Sequence, residues 1–159
     1  MEKLGLKDLL TLLNAVSGII GISLAIAGQT YAWLYIFPAV LFDFLDGKVA
    51  RKTGSANSFG KELDSLADTV SFVVAPTVIA MRLQPDIFLT AASALFVCTG
   101  LLRLAWFNLQ KDKLHYFGLP TPFAALVVLL MNYILPVFTP WILVITAVAM
   151  VTPFKVKKL

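Results

Sequence analysis

The chain of 159 residues is short of the groups that a small secreted or soluble enzyme relies on. It has one cysteine, Cys98, so no internal disulfide framework can staple it. Cys98 sits in an apolar run and reads as a small core or lipid-facing residue. It has one histidine, His115, in a polar stretch and in no pattern with a serine or cysteine, so nothing points to a covalent enzyme intermediate. Charged residues make up only 14%, against about 25% in soluble domains. There is no internal repeat and no low-complexity linker. The single long polar stretch runs from Gly47 to Glu62.

What the chain has instead is apolar surface. Hydrophobic residues make up 59% and the mean hydropathy is +0.86. That excess needs lipid around it, which predicts one all-α membrane domain over residues 1–159. The apolar runs predict six transmembrane helices, at Leu10–Ala27, Ala32–Arg51, Gly60–Leu83, Asp86–Gln110, Pro120–Val137 and Pro140–Phe154. A short amphipathic lead-in helix, Glu2 to Leu10, precedes the first. Lys3 and Lys7 ahead of an apolar run resemble a signal peptide, but no small-residue cleavage site follows and the segment reads as retained.

The net charge of +4 follows the same logic. Nucleic acid is set aside as a partner, because basic residues in so apolar a chain set membrane orientation. With six spans and a cytoplasmic N-terminus, 12 of the 13 basic residues fall at cytoplasmic segments or the adjacent helix ends, and only Arg82 lies opposite. Both termini are therefore expected in the cytoplasm. Tyr31, Trp33 and Trp141 are expected at the outer interface.

Five of the nine acidic residues lie between Asp43 and Asp68. Asp43 and Asp46 are three apart, and Asp64 and Asp68 are four apart, so each pair shares a helix face. Two antiparallel helices would aim four carboxylates at one point inside the bilayer edge. Such a cluster needs positive charge among it, and hard divalent cations with oxygen ligands supply it. Ion pairing with Lys48, Arg51, Lys52 and Lys61 is the bland alternative, but intramembrane carboxylates in two face-matched pairs point to function.

The spacing Asp43-x-x-Asp46-Gly47-x-x-Ala50-Arg51, then Gly60-x-x-x-Asp64-x-x-x-Asp68, resembles the complete signature of the CDP-alcohol phosphotransferases. The resemblance implies a six-helix, commonly dimeric membrane enzyme. It implies that Asp43, Asp46, Asp64 and Asp68 hold two Mg2+ or Mn2+ ions, with Asp68 as general base. It assigns Gly47, Ala50, Arg51 and Gly60 to the cytidine diphosphate part of the lipid substrate. Ser55 is added because Gly54, Ser55 and Gly60 allow a close backbone approach. Asn14 resembles an asparagine that members place near the nucleotide; a helix-packing amide is the other reading.

Further stretches resemble the bacterial-type and archaeal phosphatidylserine synthases of that family: residues 59–68, Val70-Ser71-Phe72, Ala75-Pro76, Arg103-Leu104-Ala105, Phe107-Asn108 and Phe117-Gly118-Leu119-Pro120. Val73 stands where they usually have Gly, and Trp106 where they have Arg. The resemblance implies transfer of a phosphatidyl group from a CDP-lipid to L-serine with release of CMP; the charge distribution and the place of the carboxylates in their spans predict a site at the cytoplasmic side of the cytoplasmic membrane. Arg103 and Asn108 are candidates for the acceptor site; a snorkelling role for Arg103 is equally open. Glycerol 3-phosphate or an inositol phosphate is the rival acceptor. A divalent-metal transporter is the rival of another class, though it has no need of the Gly-Ala-Arg spacer and the chain has no convincing inverted repeat.

Overall fold

A computed structural model of the chain describes residues 5–53, 58–83, 86–109 and 118–152, and every element among them is helical. α1 is Leu6–Ile26. A 3-10 turn, Thr30–Tyr35, leads into α2, Ile36–Thr53. α3, Ser58–Asp68, passes through a π-helical turn, Thr69–Val74, into α4, Ala75–Leu83. α5 is Ile87–Leu109, α6 is Thr121–Ile134, and a 3-10 turn at Pro136–Phe138 leads into α7, Thr139–Val151.

Local chemistry sets most of these ends. Asp8 accepts from the Gly5 N–H at 2.8 Å and so closes the start of α1. At the other end Gly28 turns the chain with φ 86°, a left-handed conformation that favours glycine. Arg82 donates to the carbonyls of Gly28 and Gln29 there, which gives the end of α1 a cation and two donors. Asp86 accepts from the Leu89 N–H at 2.7 Å ahead of α5. α6 and α7 each carry a proline in the first turn, Pro122 and Pro140, where the missing N–H costs nothing.

The π turn has a cause in sequence as well. Pro76 lacks an N–H, and in a regular α-helix its ring would press on the Phe72 carbonyl. The chain widens by one residue instead, and the Ala75 N–H bonds to the Val70 carbonyl. α3 and α4 therefore continue as one rod of changed phase.

Two apolar clusters hold the bundle. The first joins α1, α2, the π turn, α4 and α6 through Ala25, Ile36, Ala39, Phe72, Ile79 and Leu129. The second joins α4, α5, α6 and α7 through Ala80, Leu89, Phe96, Val128, Leu143 and Met150. α4 and α6 serve both and form the middle of the bundle. Small residues line many contacts, the usual means of close helix approach in lipid. Gly100 gives way to Val73, the residue that departs from the usual glycine of the resembling sequences: a Cβ on Gly100 would lie 2.9 Å from both Val73 methyl groups.

The outer surface is apolar, with Leu9, Ile20, Leu41, Leu102 and Val148 exposed. Three helical stretches are long and apolar enough to cross a membrane: Leu6–Ile26, Ser58–Arg82 and Ile87–Leu109. The chain is an integral membrane protein. α2 is interrupted by its carboxylates, and α6 and α7, at 14 and 13 residues, rise only about 20 Å each.

The expected lead-in helix is not a separate element. Residues 6–10 form the first turns of α1 in line with the span, because Asp8 caps at Gly5 rather than after it; residues 2–4 lie outside the described residues. Of the three aromatic residues expected at the outer interface, Tyr31 is exposed and the two tryptophans each meet another ring. Trp33 stacks near Tyr133 at 5.0 Å, and Trp141 meets Phe88 edge-on at 5.1 Å, at the end of the bundle marked by Gln29 and Arg82. Cys98 lies exposed on α5, on the lipid-facing side of the two readings.

Candidate metal and active site

The carboxylates gather at the opposite end from Arg82. Asp43 on α2 and Asp64 and Asp68 on α3 each place one oxygen within 4.8 Å of the others. Asp43 and Asp64 are half-buried and Asp68 is buried, at 8% exposure. The four-residue spacing of Asp64 and Asp68 does what helical geometry requires and stacks them on one face.

Asp46 is not part of this three-carboxylate group. It turns toward α1 and accepts the Thr11 hydroxyl at 2.7 Å, with 2% of its surface exposed. A three-residue step leaves about 60° between two side chains, enough to send one into the cluster and the other to its flank. Its charge still acts on Asp43 and Asp64, and Lys7, one turn above Thr11, attracts both Asp46 and Asp64.

Asn14 is fully buried and donates from Nδ2 to Asp68 Oδ1 at 3.0 Å. Its own Oδ1, and Asp64 Oδ1, are buried with no hydrogen-bond donor among the described residues. Buried acceptors normally have partners. Carboxylate oxygens converging beside orphaned acceptors fit a hard divalent cation, which brings positive charge where the protein supplies no donor.

The remaining expected residues surround this point unevenly. Gly47 and Ala50 lie on the next turn of α2, and Arg51 is exposed near its end. A Cβ on Gly47 would meet nothing closer than the Arg51 guanidinium, at 3.7 Å, so this face is open apart from that cation. Gly60 is buried near the start of α3. Ser55 and His115 lie outside the described residues. Arg103 and Asn108 are half-buried on α5, and Asn108 Oδ1 is a further buried acceptor without a donor among the described residues. Lys61 Nζ donates to the Asn108 backbone carbonyl, tying the end of α5 to the turn before Asp64. Trp106 is exposed, 46% of its surface, on the outer side of α5.

Sequence reasoning passed over Lys7 and Thr11. A signal was available: Lys7, Thr11, Asn14 and Gly18 recur at helical spacing as a polar and small stripe on an otherwise apolar helix. Such a stripe marks the face that meets other helices rather than lipid.

The profile of the CDP-alcohol phosphatidyltransferases matches residues 5–152. The chain belongs to this family. It is 43% identical over 131 residues to the archaetidylserine synthase of Methanothermobacter thermautotrophicus, covering 79% of this chain and 56% of that protein. It is 37% identical over 131 residues to the CDP-diacylglycerol–serine O-phosphatidyltransferase of Bacillus subtilis, covering 79% and 73%. It is 40% identical over 152 residues to the yeast Saccharomyces cerevisiae protein of that name, covering 84% and 55%. The chain thus spans little more than half the length of two of these three relatives.

Proposed function

We propose that this CDP-alcohol phosphatidyltransferase transfers the phosphatidyl-type group of a CDP-activated lipid to the hydroxyl of L-serine and releases CMP. The observation that carries the reading is the convergence of Asp43, Asp64 and Asp68 at one end of a membrane bundle. There a lipid can keep its tails in the bilayer while a water-soluble acceptor enters from the surface. The names of the relatives support serine as acceptor.

The four aspartates are assigned to two divalent cations, Mg2+ or Mn2+, with Asp46 held in reserve on the flank by Thr11. The ions, when bound, neutralise the phosphate oxygens and the charge that develops on departing CMP. Asp68 accepts the serine hydroxyl proton while the serine oxygen bonds to the lipid-linked phosphorus and the bond to CMP breaks. Burial of Asp68 and its bond from Asn14 hold the carboxylate in place for that transfer. Gly47, Ala50, Arg51, Ser55 and Gly60 receive the cytidine diphosphate part: the open face over Gly47 admits it and Arg51 grips phosphate. Asn14 meets this group from α1. Arg103 and Asn108 receive the serine, with the Arg103 guanidinium on its carboxylate.

The membrane reading extends to six spans in a single domain over residues 1–159: α1, α2, α3 with α4, α5, α6 and α7. Both termini and the site face the cytoplasm, as the charge distribution supports. The partners are the membrane lipids, the two substrates and a second copy of the chain in a homodimer.

The deciding experiment measures CMP release by purified protein with a CDP-lipid and Mn2+ or Mg2+, supplying one acceptor at a time. Release with serine alone is the expected outcome. Release with only glycerol 3-phosphate or an inositol phosphate would move the assignment to a phosphorylated acceptor. No release with any acceptor would sink the transferase reading.

A further inference from the structure

The π turn that follows Asp68 is pinned from two sides by groups that no motif marks. The Ser71 carbonyl lies in its middle and is fully buried. An α-helix would bond it to the Ala75 N–H, but that donor is taken by Val70. A π-helix would bond it to residue 76, which is proline and has no N–H. The Tyr35 hydroxyl fills the place at 2.6 Å, from a side chain 5% exposed. On the other side of the same residue, Ser71 Oγ donates to the Asn14 carbonyl at 2.7 Å. Asn14 in turn donates to Asp68 Oδ1. Close approach makes this possible: a Cβ on Gly18 would lie 2.6 Å from Ser71 Oγ and 2.7 Å from Ser71 Cα.

We infer that Tyr35 and Ser71 are positioning residues for Asp68. They clamp the π turn against α1 and against the start of α2, and so set the direction of the carboxylate that Asn14 then holds. The inference rests on the proposed role of Asp68 in the metal and transfer site. A helix whose bonding pattern is broken by proline is free to shift phase, and here the shift would rotate Asp68 out of the group it forms with Asp43 and Asp64. The clamp removes that freedom. Neither residue touches a substrate in this assignment; both act through Asn14 and the turn.

The test compares Tyr35→Phe and Ser71→Ala with Thr146→Ala, which removes a buried hydroxyl bonded within α7, a helix that packs mainly on α5 and α6. Two quantities are read for each: Mn2+ affinity by titration, and thermal unfolding without metal. Positioning predicts that Tyr35→Phe and Ser71→Ala weaken Mn2+ binding by about tenfold, the lower range for groups that orient a metal ligand. Thr146→Ala should lower thermal stability without changing Mn2+ affinity. Asn14→Ala, which removes the direct contact, should weaken Mn2+ binding at least as much. Where turnover is measured, Tyr35→Phe should lower kcat with the KM for CDP-lipid unchanged. Wild-type Mn2+ affinity in folded Tyr35→Phe and Ser71→Ala would overturn the inference, whatever reaction the protein catalyses. Wild-type protein that binds Mn2+ yet releases no CMP would fail the proposed function and leave the clamp tested by affinity alone.

Discussion

Asn14 and Asp68 stand 54 positions apart in the chain, and the Asn14 amide donates to Asp68 Oδ1 at 3.0 Å in the buried interface of α1 with α3. Asp68 also belongs to the carboxylate group with Asp43 and Asp64. The bond makes α1 a structural part of the candidate site rather than a mere anchor.

Asp68→Asn tests the base assignment. The substituted amide keeps an oxygen for the Asn14 bond, so the fold should hold. Turnover should fall by about 10²–10⁴-fold, the range for loss of a positioned base, while binding of a CDP-containing nucleotide is partly retained. CMP release at the wild-type rate would exclude Asp68 as base.

Thr11→Val tests the flank. Valine matches threonine in shape but leaves Asp46 Oδ2 without its donor. Mn2+ affinity should drop by about 10–100-fold, as for other groups that orient ligands, and Thr11→Ser should restore it. Titration of the three proteins gives the answer. Unchanged affinity in Thr11→Val would mean that Asp46 needs no orientation from α1.

Arg103→Lys tests the acceptor end. Lysine keeps the charge and loses the planar fork. The KM for serine should rise by about tenfold, equivalent to about 1.4 kcal/mol, with the KM for CDP-lipid unchanged. Equal loss in both constants would place Arg103 outside the serine site.

Gly118→Ala separates stability from chemistry. Gly118 has φ 73°, and a Cβ there would run into the Met150 carbonyl oxygen at the end of α7. The next residue donates its N–H to the Ala149 carbonyl at 2.9 Å, so this loop closes the end of α7. The substitution should cost about 1–3 kcal/mol and lower the unfolding temperature, with Mn2+ affinity intact. A variant as stable as the wild type would remove the need for glycine here. The Gly118-Leu119-Pro120 stretch thereby has a structural reason, independent of substrate.

The carboxylate cluster was legible in one dimension because oxygen-rich sites suit hard cations and helical spacing brings such side chains to one face. Asp64 and Asp68 meet as their four-residue step requires, and Asp43 joins them. Asp46 sits on the flank of that group for a physical reason. A three-residue step brings two side chains near each other without making them parallel, and the partner that captured Asp46, Thr11, lies on another helix. The helix ends were legible where proline, glycine or aspartate imposes them, as at Gly28, Asp86 and Pro140. The count of spans was less so, because α6 and α7 are shorter than a usual span and α2 carries charge within it.

By itself the sequence determined a helical membrane chain, through its apolar excess, and a carboxylate site of one chemical class, through the spacing of its aspartates. These depend on composition and on helical period, and both are local. Only the tertiary structure decided which carboxylates converge, that α1 supplies their hydrogen-bond partners, and that Tyr35 answers the carbonyl left open by Pro76. Those outcomes depend on which helix faces which, and buried polar groups separated by 36 to 57 residues find one another only when the helices pack.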